Sequence, residues 1–437
     1  MGPLRPCTVV EHRSQQASTT RLHHHPIARP WRPLLRFSSF TSTRASADSA
    51  RTETTQGNRV QEVDILRGFA LLGILLVNSL IMAGPHLGPQ SGSSVGSHAD
   101  NVAEWLVTAL VTTKFYLLFS FLFGYSFTLQ RAAADRAGKA LAPRHLRRLS
   151  CLLLLGLVHG VLLFPGDVLM VYAVLSLLLF ALRNTSPRTA LWTAAGLVAC
   201  AAACLLAWGL LTVAYSQPMP TGAFTTALER TSVARRATPG SVVSSNLQWL
   251  RDTLGWEIIY GSDMLAAILV GMIAGRSGVL ASPYRYRKSM IRIVVLALPF
   301  GLTGSAFMAV CRNGPLDPRW YDVGSAVGLV TAPTLTAAYA CGLLLLLPTR
   351  AGRRVADMLA PAGRMALTNY LTQSMVMALV FTGYGLAQYG RYSTAVVLTG
   401  CFVLYTTQLV VSRWLMGRVR YGPVEWLLRM ATLARKP

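Results

Sequence analysis

His159 and Asp167 stand on either side of Phe164-Pro165-Gly166 in a stretch otherwise built of Leu, Val, Gly and Met. A turn at Pro165-Gly166 folds the flanking segments back on each other and carries the imidazole toward the carboxylate. A His–carboxylate pair is suited to proton transfer, and ionisable groups inside apolar segments mark functional sites by default. A hydrogen bond that only fixes the hairpin is an equally weighted reading of the same residues.

The segment VDILRGFALLGILLVNSL, Val63 to Leu80, carries a second set. Asp64 and Arg67 are three positions apart, close enough to pair along a helix. Asn78 follows Arg67 by eleven positions, and eleven steps of about 100° return to nearly the same face, about 16 Å farther along the axis. The three define one polar seam. An amide facing lipid is unfavourable, so Asn78 is expected to face the bundle and bond a neighbouring helix. The alternative for Arg67 is a simple headgroup anchor.

Asp263, in IYGSDMLAAILVGMIAG, is a lone acid in an apolar run and a candidate to balance a cation. Asn369, Gln373 and Ser374, in GRMALTNYLTQSM, form a polar stripe at helical spacing. These amides serve either as interhelical glue or as substrate contacts. Lys114, in VTTKFYLLFSFLFGYSF, is expected to snorkel to an interface.

The elements that hold these residues are helices in lipid. Of 437 residues 52% are hydrophobic and 13% charged, with a mean hydropathy of +0.43; a soluble domain has roughly 25% charged residues. Ten apolar runs recur, about 64–83, 103–129, 147–164, 168–183, 189–215, 253–275, 289–311, 323–348, 365–386 and 393–416. The fold class is therefore all-α, a polytopic transmembrane bundle of about ten spans. With the N-terminus inside, 32 of the 41 Lys and Arg fall in inner segments and 7 in outer loops. Both termini are expected on the cytoplasmic side of the inner membrane.

Three divisions follow. Residues 1–58 are rich in Arg, Ser, Thr and Pro and read as a disordered basic tail; 59–417 form the membrane domain; 418–437, with YGPVEWLLR, read as an interfacial helix and tail. The connector at 216–252 is long, and its Leu, Trp and Arg pattern suggests a helix on the outer surface. It is either a cover for a site or a solvated link.

The net charge of +24 would suggest nucleic acid in a soluble chain. Here the basic residues lie between apolar runs and encode topology, so no nucleic-acid partner is expected. The seven cysteines include no CxxC pair and no Cys/His cluster of zinc spacing, which argues against a structural metal. Arginine far outnumbers lysine, a bias of GC-rich bacterial genomes.

Taken in order, VDILRGFALLGILLVN, KFYLLFSFLFGYSF, GLVHG with GDVLMVYA, LVGMIAGRSGVL, GRMALTNYLTQS and RYGPVEWLLR resemble the YeiB-like family of polytopic membrane proteins, across Val63 to Arg429. That family is distantly similar to membrane-bound acyltransferases, whose first helix opens with an Arg-Gly pair and carries a His about eleven residues on. Arg67-Gly68 fits; the His position is Asn78, which cannot act as a base. The resemblance implies a group-transfer or tailoring enzyme acting on an envelope component or a hydrophobic natural product. Its donor would be an acyl-CoA-type co-substrate, with no permanently bound cofactor. Arg67 would hold the anionic donor, with His159 and Asp167 handling protons. Two rival readings stand beside it: a transporter or exporter using Asp263, His159 and Asp167, and a scaffold for biosynthetic enzyme partners.

Overall fold

The computed structural model describes residues 60–84, 97–138, 140–217 and 221–433. The basic tail at 1–58 lies outside them. Every regular element among the described residues is helical. The first half holds α1 (Gln61–Ala83), α2 (His98–Leu110), α3 (Lys114–Arg136), α4 (Leu141–Leu162), α5 (Val168–Ala181), α6 (Pro187–Tyr215), α7 (Thr221–Arg236) and α8 (Pro239–Asp252). The second holds α9 (Leu254–Ser277), α10 (Arg287–Asn313), α11 (Tyr321–Leu346), α12 (Arg350–Arg364), α13 (Ala366–Phe381), α14 (Thr394–Met416) and α15 (Pro423–Leu433).

Eight stretches are long and apolar enough to cross a membrane, the α2–α3 stretch being one of them; α5 and α13 are apolar but shorter. The ten apolar runs of the sequence each fall on one of these. The side chains left outside are those of a lipid-facing belt: Trp192, Trp208, Leu296 and Val403 are all more than half exposed. An apolar surface of that extent is untenable in water, and the chain is a membrane-type helical bundle.

Burial separates centre from periphery. The apolar window of α1 is 67% buried within the protein, against 22% for α6. Helix α1 packs against α3, α12, α13 and α14. Its contact with α12 is backbone to backbone: a Cβ at Gly68 would lie 2.3 Å from the Leu359 carbonyl oxygen, and one at Gly363 would lie 1.8 Å from that of Asp64. Lipid tails supply no hydrophobic drive between such helices, so close backbone approach and dispersion do the work.

The second expected span is not one helix. The backbone breaks at Val111–Thr113, where Thr113 adopts φ 75°, a conformation unfavourable for a β-branched residue. The break also corrects the expectation for Lys114. Its side chain does not snorkel outward but is 1% exposed, and Nζ donates to the Thr108 carbonyl oxygen at 3.2 Å. The ammonium thus caps the last turn of α2, where carbonyls lack intrahelical partners.

Two further devices tie connectors to the bundle. The long 216–252 connector is a helix pair, α7 and α8, and α8 lies against α4. Near the C-terminus, Glu425 accepts hydrogen bonds from the Leu367 and Thr368 backbone N–H groups at 2.8 and 3.0 Å and from the Thr368 hydroxyl at 2.6 Å. A carboxylate from α15 thereby caps the first turn of α13, where the helix dipole favours negative charge.

Candidate functional site

Helix α4 ends one residue before Leu163, and α5 begins at Val168 with Asp167 as its N-cap: Oδ2 accepts the Met170 backbone N–H at 3.0 Å. The tight turn brings Asp167 back over α4. Gly156 permits this, since a Cβ there would lie 2.5 Å from the Met170 nitrogen and 2.7 Å from Asp167 Oδ2. His159, one turn farther along, places Nδ1 2.9 Å from Asp167 Oδ1, with both side chains 1% exposed. The separation is that of an ion pair, yet neither ring nitrogen makes an aligned hydrogen bond. The ring is tilted 43° against Tyr370 with centroids 5.1 Å apart.

Tyr370 is the third member of the cluster. Its hydroxyl donates to Asp167 Oδ1 at 3.1 Å, so the carboxylate is held from α5 itself, from α13 and beside α4. On its other side Tyr370 lines a narrow cavity with Asn78, Ser79, Gln373 and Ser374, with room for about one water. Gln373 Oε1 there is buried without a protein partner, and Ser79 Oγ has only the weakly bonding Cys401 thiol beside it. Buried polar atoms of this kind call for a water or a ligand group. Tyr370 therefore joins the His159–Asp167 pair to the amides of α1 and α13.

Gln373 and Asn369 also bridge helices, as interhelical glue would. Gln373 Nε2 donates to Gln408 Oε1 at 2.7 Å, Gln408 Nε2 to the Asn369 carbonyl oxygen at 3.0 Å, and Asn369 Nδ2 to Ser412 Oγ at 3.0 Å. These bonds fix α13 against α14. Of the stripe, Gln373 and Ser374 also face the cavity, whereas Asn369 does not line it.

The seam on α1 divides between two neighbours. Arg67 pairs with Asp64 at 3.4 Å and donates through Nη2 to Ser126 Oγ on α3 at 2.5 Å; Asn78 faces α13. The helices cross, so one face of α1 meets different partners along its length. On α3, three residues before Ser126, the Phe123 ring carries the Arg148 guanidinium 5.9 Å from its centroid. Arg67 and Arg148 thus converge on one turn of α3, near enough for their charges to repel.

Asp263 belongs to neither group. It is 1% exposed, and its Oδ2 accepts the Tyr116 hydroxyl at 3.1 Å, while Oδ1 has no partner. The expected cation is not beside it: among the described residues no basic side chain pairs with Asp263. Helix α9 directs the carboxyl at α3, whose facing residue is a tyrosine.

Covering the hairpin is α8. Asn246 Nδ2 donates to the Val161 carbonyl oxygen at 3.1 Å, and Leu250 reaches Gly160. On α9, Glu257 lies within electrostatic reach of Asp167. Sequence reasoning singled out none of Tyr370, Arg148, Glu257 and Asn246. A tyrosine in an apolar run and an arginine at a span end are commonplace, and their partners are remote in sequence.

Fold and site together define a class: a helical, membrane-type bundle with a buried His–Asp–Tyr cluster and a polar cavity beside it. Similarity then places the chain. Residues 274–435 match the family described as Protein of unknown function (DUF418). The chain is similar to Uncharacterized protein YxaH of Bacillus subtilis (strain 168), 28% identical over 88% of this chain and 96% of that protein. An uncharacterized 39.9 kDa protein from the amylase 3' region of Bacillus acidopullulyticus is 28% identical over 86% of this chain and 95% of its own. Uncharacterized protein YeiB of Escherichia coli (strain K12) is 26% identical over 65% and 74%. Together the matches support a YeiB-like family for this chain.

Proposed function

We propose that the chain is a group-transfer enzyme of the inner membrane, acyltransferase-like, with both termini in the cytoplasm. The observation that carries this reading is the His159 imidazole, sealed in the protein with Asp167 2.9 Å from Nδ1 and no protein partner at Nε2. With the proton on Nδ1 facing the carboxylate, Nε2 keeps a lone pair for a substrate proton. That is the division of roles in which an acid orients a general base. The acceptor's hydroxyl proton would pass to Nε2 as its oxygen attacks the donor's acyl carbonyl, and the departing group would take the proton away. Arg67 and Arg148, converging on one turn of α3, supply paired guanidinium groups for an anionic donor of the acyl-CoA type. Asn78, Gln373 and Ser374 supply polar contacts beside Tyr370. The acceptor on this reading is an envelope component or a hydrophobic natural product.

The test compares metabolites and lipids of a deletion strain complemented with the wild type, His159→Ala or an empty vector. The expected result is a product present with the wild type and lost with His159→Ala to the empty-vector level. Full product with His159→Ala would sink the assignment of the base.

One observation favours a second reading. Asp263 is a carboxyl buried without a basic partner among the described residues, a feature of proton-coupled carriers. A transporter would take up a solute chemically unchanged, driven by a proton gradient across vesicles, and Asp263→Asn would abolish that uptake. Conversion of the solute by the purified protein, with no gradient present, decides for the enzyme.

A further inference from the structure

Arg235, at the end of α7, is 7% exposed. Its guanidinium makes one hydrogen bond, through Nη1 to Asn246 Oδ1 at 3.4 Å. It otherwise lies over two aromatic rings, 5.9 Å from the Trp249 centroid and 5.5 Å from that of Tyr389. Among the described residues, no carboxylate pairs with it. Burial pushes the guanidinium below the usual arginine range, opposed only by the Tyr389 phenol. Arginine nonetheless stays charged, and a buried charge without an opposite one is unfavourable.

The position is built, not incidental. The Arg235 carbonyl oxygen accepts the Gly383 backbone N–H at 2.9 Å, tying the end of α7 to the loop after α13. Asn246, which Arg235 holds through its amide oxygen, uses its amide nitrogen to bond the Val161 carbonyl, two residues beyond His159. The remaining guanidinium nitrogens are not among the atoms sealed from outside. Three elements therefore present a charged fork at the rim of the His159 hairpin, with aromatic faces on two sides.

We propose that Arg235 is the receptor for a phosphate-type oxyanion, which docks against its free N–H donors above the hairpin. The planar fork matches phosphate geometry in a way a lysine cannot. Aromatic side chains around a basic group suit the level at which amphiphiles carry their phosphates. In resting on the enzyme reading, the proposal makes this oxyanion the head group of the acceptor, which fixes the substrate class as a phosphate-bearing amphiphile or a soluble phosphate ester.

The experiment reads binding without turnover, so its outcome is separate from that of His159→Ala. Full-length protein is purified in an uncharged maltoside, and thermal unfolding is followed with inorganic phosphate, with short-chain phosphatidylglycerol, and with the matching uncharged diacylglycerol. A saturable rise in Tm with phosphatidylglycerol alone assigns a lipid head group. A rise with inorganic phosphate as well assigns the phosphate group itself. Arg235→Gln is expected to weaken the apparent affinity at least ~10-fold, and Arg235→Lys by less, because charge remains while the fork is lost. If neither phosphate probe shifts the wild type, or the diacylglycerol shifts it equally, the proposal fails whatever the variants do. Should Arg235→Gln not fold, Arg235→Lys decides: wild-type affinity in that variant overturns the role of the fork.

Discussion

Asp167 does two things at once, and a single substitution separates them. Its Oδ2 caps α5, while Oδ1 faces His159 and accepts from Tyr370. Asparagine is as good an N-cap as aspartate but carries no charge to orient an imidazole. Asp167→Asn is therefore expected to keep thermal stability in detergent within about 1 kcal/mol of the wild type, while product formation in the complemented strain falls to the level of His159→Ala. Asp167→Ala should lose the cap as well, at about 0.5–2 kcal/mol. An Asp167→Asn strain with full product would leave the residue a cap and nothing more. Part of this was legible in sequence: His159, Asp167, Asn78 and Gln373 stand out because polar groups in apolar runs are rare. Tyr370 was not, because its bond to Asp167 spans 203 positions and no local pattern records a partner so distant. Nor did Lys114 declare itself, since inward or outward direction depends on the break at Thr113.

Among the elements, the α4–α5 hairpin depends on how closely its two helices approach. Gly156 is a point of close approach, and its would-be Cβ meets the backbone nitrogen of Met170, which cannot swing aside as a side chain can. Gly156→Ala is expected to destabilise the protein by about 1–3 kcal/mol and to lower activity with it, since Asp167 moves with the hairpin. Gly196 on α6 supplies the control: a Cβ there meets nothing within 4 Å. Gly196→Ala should be neutral or stabilise by up to about 1 kcal/mol through helix propensity. Equal melting temperatures for the two variants would contradict the packing described. A comparable test applies to the cap supplied by α15. Glu425→Ala removes the acceptor for three donors of α13 and should lower stability by about 1–2 kcal/mol. Glu425 lies in the first turn of its own helix and serves another helix as well. Helix periods and the ten apolar runs were readable because they repeat locally; which helices touch was not, since a lipid-facing and a protein-facing leucine look alike.

At the scale of the whole molecule, the number of helices that cross decides which connectors face each side. Helix α5 has 14 residues and α13 has 16, about 21 and 24 Å at 1.5 Å per residue, against a hydrocarbon core of about 30 Å. If both cross, ten spans place the α7–α8 pair outside. If neither does, eight spans place that pair inside; both assignments follow from the cytoplasmic N-terminus proposed above, and with it the C-terminus falls inside in either case. Charge distinguishes the two arrangements. Ten spans put Arg183, Arg188 and the basic segments 276–292 and 350–364 inside and leave Arg230, Arg235, Arg236, Arg251, Arg312 and Arg319 outside, whereas eight reverse all of these. The inner segments hold 32 of 41 basic residues on the ten-span count. Ten spans with a thin, locally compressed layer at α5 is accordingly the expected arrangement. A periplasmic phosphatase inserted between Gln217 and Thr221 should be active, and a fluorescent protein fused after Pro437 should fluoresce. Fluorescence from a reporter at the α6–α7 junction, with the phosphatase silent there, would place α7 and α8 in the cytoplasm. It would also put the Arg235 rim on the same side as Arg67, so that donor and acceptor would enter from one face.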